Sequence, residues 1–233
     1  EAVKSLADRA GLALPQDGYD DTLMKQRRRM LEANREAARY FHETLFTPEG
    51  AAALSYLQGR GLNAKIIRHF GLGCAPNRWD GLLRHMRQKG YSEAELVNAN
   101  LARRSDKNGR TSCYDNFRNR MMIPIIDLRG NVIAFGGRVL DDAKPKYVNT
   151  SDTLVYKKSQ AIFALNFAKS ANQGKLILAE GYMDVIAYHQ AGFTNAVACL
   201  GTALTREQAR LLARYADEVI LSYDADGAGQ EAT

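Results

Sequence analysis

The sequence predicts an α/β protein in which an α+β part comes first and a parallel sheet follows, and three observations carry that reading. Residues 174–233 alternate apolar, β-prone runs with helical stretches: strands over 175–179, 195–199 and 218–223, helices over about 183–191 and 206–215. Strands separated by helices pair in parallel and are covered on both faces. Upstream, the apolar runs 121–126 and 132–135 flank Asp127-Leu128-Arg129-Gly130 and read as a hairpin about a turn. Residues 1–110 are charged and punctuated by Gly59, Gly61, Gly71 and Gly73, the texture of short helices. The expected divisions are 1–110, mostly helical; 111–172, a basic region with the hairpin that completes the first subdomain; and 173–233, an α/β subdomain truncated on its C-terminal side.

In chain order, the first strong element is a helix from Asp21 to about Leu45, stopping before Thr47-Pro48, a cap and first-turn proline for the next helix. Its Arg27-Arg28-Arg29 reads as surface or a non-specific DNA contact. Trp79 reads as packing. Ser92-Glu93-Ala94-Glu95 is a capping-box pattern that starts another helix.

With 233 residues, 45% hydrophobic and 25% charged, the chain can bury a substantial core. No apolar run approaches the roughly 20 residues of a membrane span. Cys74, Cys113 and Cys199 are odd in number and far apart, which gives neither a disulfide framework nor a zinc-ligand spacing and fits a reducing cytoplasm. His42, His69, His85 and His189 form no cluster and follow no triad logic. The net charge of +6 hides an asymmetry: residues 174–233 carry four Lys/Arg against eight Asp/Glu, which leaves a strongly basic remainder. A basic body with an acidic tip suits a nucleic-acid or polyphosphate ligand whose reacting phosphate needs a metal. Glu1-Ala2-Val3 at one end, and an opening helix at the other, read as the ends of an excised piece.

Glu180 follows the apolar strand 176–179 and precedes Gly181, at the strand end where α/β folds bind ligands. Asp184 falls in the first turn of the next helix. Asp224-Ala225-Asp226-Gly227 holds the equivalent place after strand 219–223, and its period-two acids with glycine allow two carboxylates to converge on one cation. Three or four such acids at neighbouring strand ends meet the requirement of Mg²⁺ for a few carboxylates together with substrate phosphates.

The strings Glu180-Gly181-Tyr182-Met183-Asp184-Val185, Leu200-Gly201-Thr202-Ala203 and Tyr223-Asp224-Ala225-Asp226-Gly227-Ala228-Gly229 resemble the Toprim domain as it occurs in bacterial DnaG-type primases. Toprim folds also serve topoisomerases and nucleases, so the acids by themselves leave another Toprim enzyme, or a non-catalytic nucleic-acid-binding module, as alternatives. Further strings resemble the same family: Tyr114-Asp115-Asn116-Phe117-Arg118-Asn119-Arg120, Phe135-Gly136-Gly137-Arg138 and Lys144-Pro145-Lys146-Tyr147-Val148-Asn149-Thr150. Gly59-Arg60-Gly61-Leu62, Phe70-Gly71-Leu72-Gly73 and Ala75-Pro76 match its weaker motifs.

Chemically, Arg clamps phosphate oxygens and Lys adds a compact charge, so Arg118, Arg120, Arg138, Lys146 and Lys158 are candidates for template and nucleotide phosphates. Lys157-Lys158 reads as solvated surface on composition, and its register with Lys146 raises Lys158 alone. Tyr147 offers a stacking face. The resemblance implies nucleotide or nucleic-acid binding at Arg138, Lys146, Tyr147, Asn149, Lys158 and Arg60, and catalysis at Glu180, Asp224 and Asp226 with Asp184 as a further ligand. It implies a primase core that copies single-stranded DNA into RNA from ribonucleoside triphosphates, holds the RNA–DNA hybrid and uses Mg²⁺, with Mn²⁺ as a substitute. It also implies a cytoplasmic place in the nucleoid and replisome. Contacts with the replicative helicase and single-strand-binding protein, and the family's zinc module and a further Asp-containing motif, are expected outside these residues.

Overall fold

The computed structural model describes residues 9, 18–107, 110–141, 144–171, 174–200 and 204–224. Helix α1 (Gly18–Leu45) leads through a 3₁₀ turn at Pro48–Gly50 to α2 (Ala51–Gly59) and α3 (Ala64–His69). Strand β1 (Gly73–Ala75), helices α4 (Gly81–Gln88) and α5 (Glu93–Asn98), and strands β2 (Ala102–Lys107) and β3 (Arg110–Asp115) follow. Then come β4 (Arg120–Ile126), β5 (Val132–Val139) and β6 (Tyr147–Asn149), a 3₁₀ turn at Lys158–Gln160, β7 (Ile162–Phe163) and α6 (Leu165–Ala168). The described residues close with the predicted alternation: β8 (Lys175–Ala179), α7 (Tyr182–Gln190), β9 (Ala196–Cys199), α8 (Arg206–Leu212) and β10 (Glu218–Ser222).

The expected hairpin is β4–β5, antiparallel with a register shift between Ile125 and Ile126. It forms the middle of a four-stranded sheet ordered β1-β4-β5-β6. Pro124 is tolerated in this inner strand because β1 pairs only with 120–122 and stops short of it. Gly73 on β1 lets α1 approach: a Cβ there would stand 2.6 Å from the Phe41 carbonyl carbon. The predicted capping box at Ser92 is formed, with Ser92 N–H donating to Glu95 Oε2 at 2.7 Å.

The second sheet is ordered β10-β8-β9-β7, with β10-β8-β9 parallel and β7 antiparallel at one edge. Period-two alternation sorts its side chains: Ile177, Ala179, Ala196 and Ala198 face one way, and Leu176, Leu178 and Val197 the other. The first set joins Leu57, Ile67, Met121, Ile123, Val185 and Ile186 in one buried cluster that runs from sheet to sheet through α2, α3 and α7. Fully burying each large side chain of that cluster, such as Leu57, Ile67 or Ile186, contributes about 1.5–3 kcal/mol, and this holds the two sheets together. On its far side the first sheet carries α1, α4 and α5 over Met122 and Phe135. Among the described residues no helix is long and apolar enough to cross a membrane.

Candidate active site between the two sheets

The parallel register sets Ala179 of β8 beside Ser222 of β10, so Glu180 and Asp224 leave neighbouring strand ends. Glu180 Oε2 accepts the backbone N–H of Asp224 at 3.2 Å, which ties those ends together. Asp184, in the first turn of α7, accepts the N–H of Gly181 through Oδ2 at 3.1 Å and thereby caps its own helix. One oxygen of Asp184 is therefore committed locally. Asp226 lies outside the described residues. Among the described residues no three acidic, His or Cys side chains close around one point. The donors present are hard carboxylate oxygens, which fit a Mg²⁺-like ion that completes its shell with water and phosphate.

Opposite these acids stands the face of β5 and β6. Arg138 pairs with Tyr147, and Gly136 with Asn149, so period two puts all four on one side of the first sheet. A cleft of about 540 Å³ separates the two walls, lined by Arg60, Arg138, Lys146, Tyr147, Asn149 and Lys158 against Glu180, Asp184 and Asp224. No ion pair joins the walls among the described residues, so both charges stay available to a ligand. The Arg138 Nε is buried without a hydrogen-bond partner, a donor left over in the wall.

Three features of the cleft were not read from the sequence. Tyr56 on α2 lies under both cleft arginines: the Arg138 guanidinium carbon is 4.3 Å from its ring centroid, and Arg60 Nε donates to its hydroxyl at 3.1 Å. The four-residue spacing from Tyr56 to Arg60 on a helix was the available signal. Lys158 is placed by Gln208, which is only 2% exposed and donates through Nε2 to the Lys158 and Ala161 carbonyls at 3.2 and 2.9 Å. Tyr182 crosses from the acidic wall to the basic one.

Arg118 and Arg120 do not line the cleft. Arg120 Nη1 donates to the carbonyls of Gly137 and Pro145 at 3.2 and 3.4 Å. Arg118 bonds the Asp115 carbonyl and lies over Trp79 and Tyr114, 4.8 and 4.9 Å from their centroids. Trp79 is not packing as expected: it is 55% exposed and stacked on Tyr114 at 4.5 Å, because its backbone rather than its ring anchors it, its carbonyl accepting from Asp115 N–H at 2.9 Å. The Asp115 carboxylate beneath is buried and accepts the N–H groups of Leu82 and Leu83 at 2.8 and 2.9 Å. Burial pushes its carboxyl up to about 6. His69 and His189, expected apart, stand 6.2 Å ring to ring, packed with Phe70 and Phe167 away from the acids.

This geometry can be set beside known proteins. A family model described as "DNA primase catalytic core, N-terminal domain" matches residues 40–169, and one described as "Toprim-like" matches 177–233. DNA primases of Clostridium acetobutylicum and Deinococcus radiodurans are each 48% identical across the whole chain, which spans 39% and 40% of their lengths. A DnaG primase catalytic domain solved bound to ssDNA superposes with a TM-score of 0.81 at 38% identity, covering 90% of this chain and 65% of that one. The RNA polymerase domain of Mycobacterium tuberculosis DnaG gives 0.81 at 39%, covering 88% and 69%. The chain belongs to the DnaG-type DNA primase family and carries that family's catalytic-core and Toprim segments.

Proposed function

We propose that the chain is the polymerising centre of a primase, joining ribonucleotides into short RNA on a single-stranded DNA template. The observation that carries this reading is a cleft that sets six basic, amide or aromatic groups against three carboxylates. In the reaction a ribose 3′-hydroxyl attacks the α-phosphorus of an incoming ribonucleoside triphosphate, forming the new phosphodiester as the bond to pyrophosphate breaks. Positioning and charge stabilisation lower the barrier of such a transfer. Arg138, Lys146 and Lys158 hold the phosphates, with Arg60 at the mouth, and Tyr147 and Asn149 orient the nucleoside.

The Toprim primase family implies a divalent metal. Here Glu180, Asp184, Asp224 and Asp226 would hold it, with Mg²⁺ or Mn²⁺ as the ion. Bound there it supplies Lewis-acid charge at phosphate oxygens. The exposed Trp79, stacked on half-buried Tyr114 under Arg118, supports a second contact, where a template base stacks and Arg118 meets a phosphate. Arg120 would reinforce that path. The solved relatives bound to ssDNA and to double-stranded DNA support template and RNA–DNA hybrid as ligands. Residues 1–172 and 173–233 would act as the two walls, a division supported by the two family matches. Helicase and single-strand-binding protein are proposed to meet other segments of the protein, in the replisome of the bacterial cytoplasm.

The test is RNA synthesis on single-stranded DNA with ribonucleotides and Mg²⁺ or Mn²⁺, with the chain both isolated and placed in the corresponding stretch of a full-length relative. Products lost in Glu180→Gln and Asp224→Asn support the reading. Synthesis undiminished by both substitutions, or DNA cleavage in place of synthesis, overturns it.

A further inference from the structure

Tyr182 sits between Glu180 and Asp184 in sequence, yet its side chain leaves the acidic wall. Its hydroxyl donates to Asn149 Oδ1 on β6 at 2.9 Å. The ring stands against Gly136 of β5 so closely that a Cβ there would lie 2.9 Å from Tyr182 Cζ. Phe163 meets the ring edge-on at 4.9 Å, and Tyr147 lies 5.8 Å away. Only 7% of the residue is exposed. The hydroxyl is the donor of that hydrogen bond.

An amide whose oxygen accepts that bond has its NH₂ group left for other partners. Asn149 lines the cleft, so the donor is available where a nucleotide would lie. The missing side chain at Gly136 makes the arrangement possible, since any Cβ would push the ring, and the helix that starts with it, away from the first sheet.

We propose that Tyr182 is a positioning residue that registers the acidic wall against the basic wall and, by holding Asn149 through its amide oxygen, presents the Asn149 NH₂ as a donor to a hydroxyl or phosphate oxygen of the bound nucleotide. This deepens the nucleotide-site reading of the cleft and rests on it.

The experiment compares wild type, Tyr182→Phe, Asn149→Ala and the double variant, measuring affinity of the chain for ATP with Mn²⁺ by calorimetry, thermal unfolding, and KM and kcat for primer synthesis in the full-length context. Tyr182→Phe keeps the ring and removes the bond, so affinity should fall about fivefold, the equivalent of one net hydrogen bond. KM should rise by the same factor with kcat little changed, and the double variant should be no weaker than Asn149→Ala alone. Losses that add in the double variant, or an unchanged affinity in Tyr182→Phe, overturn the positioning role while leaving the functional reading standing. A wild type that binds no nucleotide and makes no RNA removes both.

Discussion

Gln208 gives the most direct link between a buried amide and a cleft residue. Its Nε2 donates to two carbonyls of the 158–161 turn, and its Oε1 accepts the N–H of Thr205 at 3.0 Å. Thr205 in turn donates through Oγ1 to the Ser159 carbonyl at 2.6 Å, so the start of α8 grips the turn that carries Lys158. Gln208→Leu keeps the volume and removes three side-chain hydrogen bonds. At about 1 kcal/mol net for each, the loss is about 3 kcal/mol. For a chain of this size that lowers Tm by about 6–12 °C.

The loss should also reach the ligand. With the turn released, Lys158 no longer stands fixed over the cleft, and nucleotide affinity should fall about tenfold, an effect of about 1.4 kcal/mol. Lys158→Ala separates the two consequences, because that side chain is exposed and its removal should weaken binding without moving Tm. Circular dichroism melts and nucleotide titrations on both variants decide the matter. A Gln208→Leu protein that melts within about 2 °C of wild type, or that loses stability while binding nucleotide normally, refutes the claim that α8 positions Lys158.

Two further outcomes concern the Trp79 side of the molecule. Trp79→Ala should weaken single-stranded DNA binding by about 1–3 kcal/mol, with Tm little changed because the ring is 55% exposed. As the chain holds one tryptophan, quenching of wild-type fluorescence by DNA reads the same contact, and unquenched emission at saturating DNA would place the template elsewhere. Asp115 sets a pH dependence: burial raises its carboxyl from 3.8 to about 6, so the folded state keeps a proton that the unfolded chain releases. That stability is fully present below about pH 4 and is lost as pH rises through about 6, amounting to about 3 kcal/mol. The Tm advantage of wild type over Asp115→Ala should shrink between about pH 4 and about pH 7. A widening gap would mean that the Leu82 and Leu83 N–H groups hold the carboxylate more strongly than burial opposes it.

The features legible in the sequence are those that position along the chain determines. Glu180 and Asp224 each come after an apolar run, and once two such strands run parallel their carboxyl ends are adjacent by construction. Arg138, Tyr147 and Asn149 were legible as motif members, and period two explains why they share a face. Tyr56, Tyr182, Gln208 and the exposed ring of Trp79 were not, because periodicity says which residues share a face but not which other element that face meets. Tyr182 shows the limit: in sequence it belongs to the acidic wall, and only the crossing of α7 over a glycine of β5 turns it into a contact of the basic one. Gly136 showed in the sequence only as a member of the Phe135-Gly136-Gly137-Arg138 string, and the structure gives the space beside it to an aromatic ring of the same chain. The same glycine thus sets how near the two charged walls can stand.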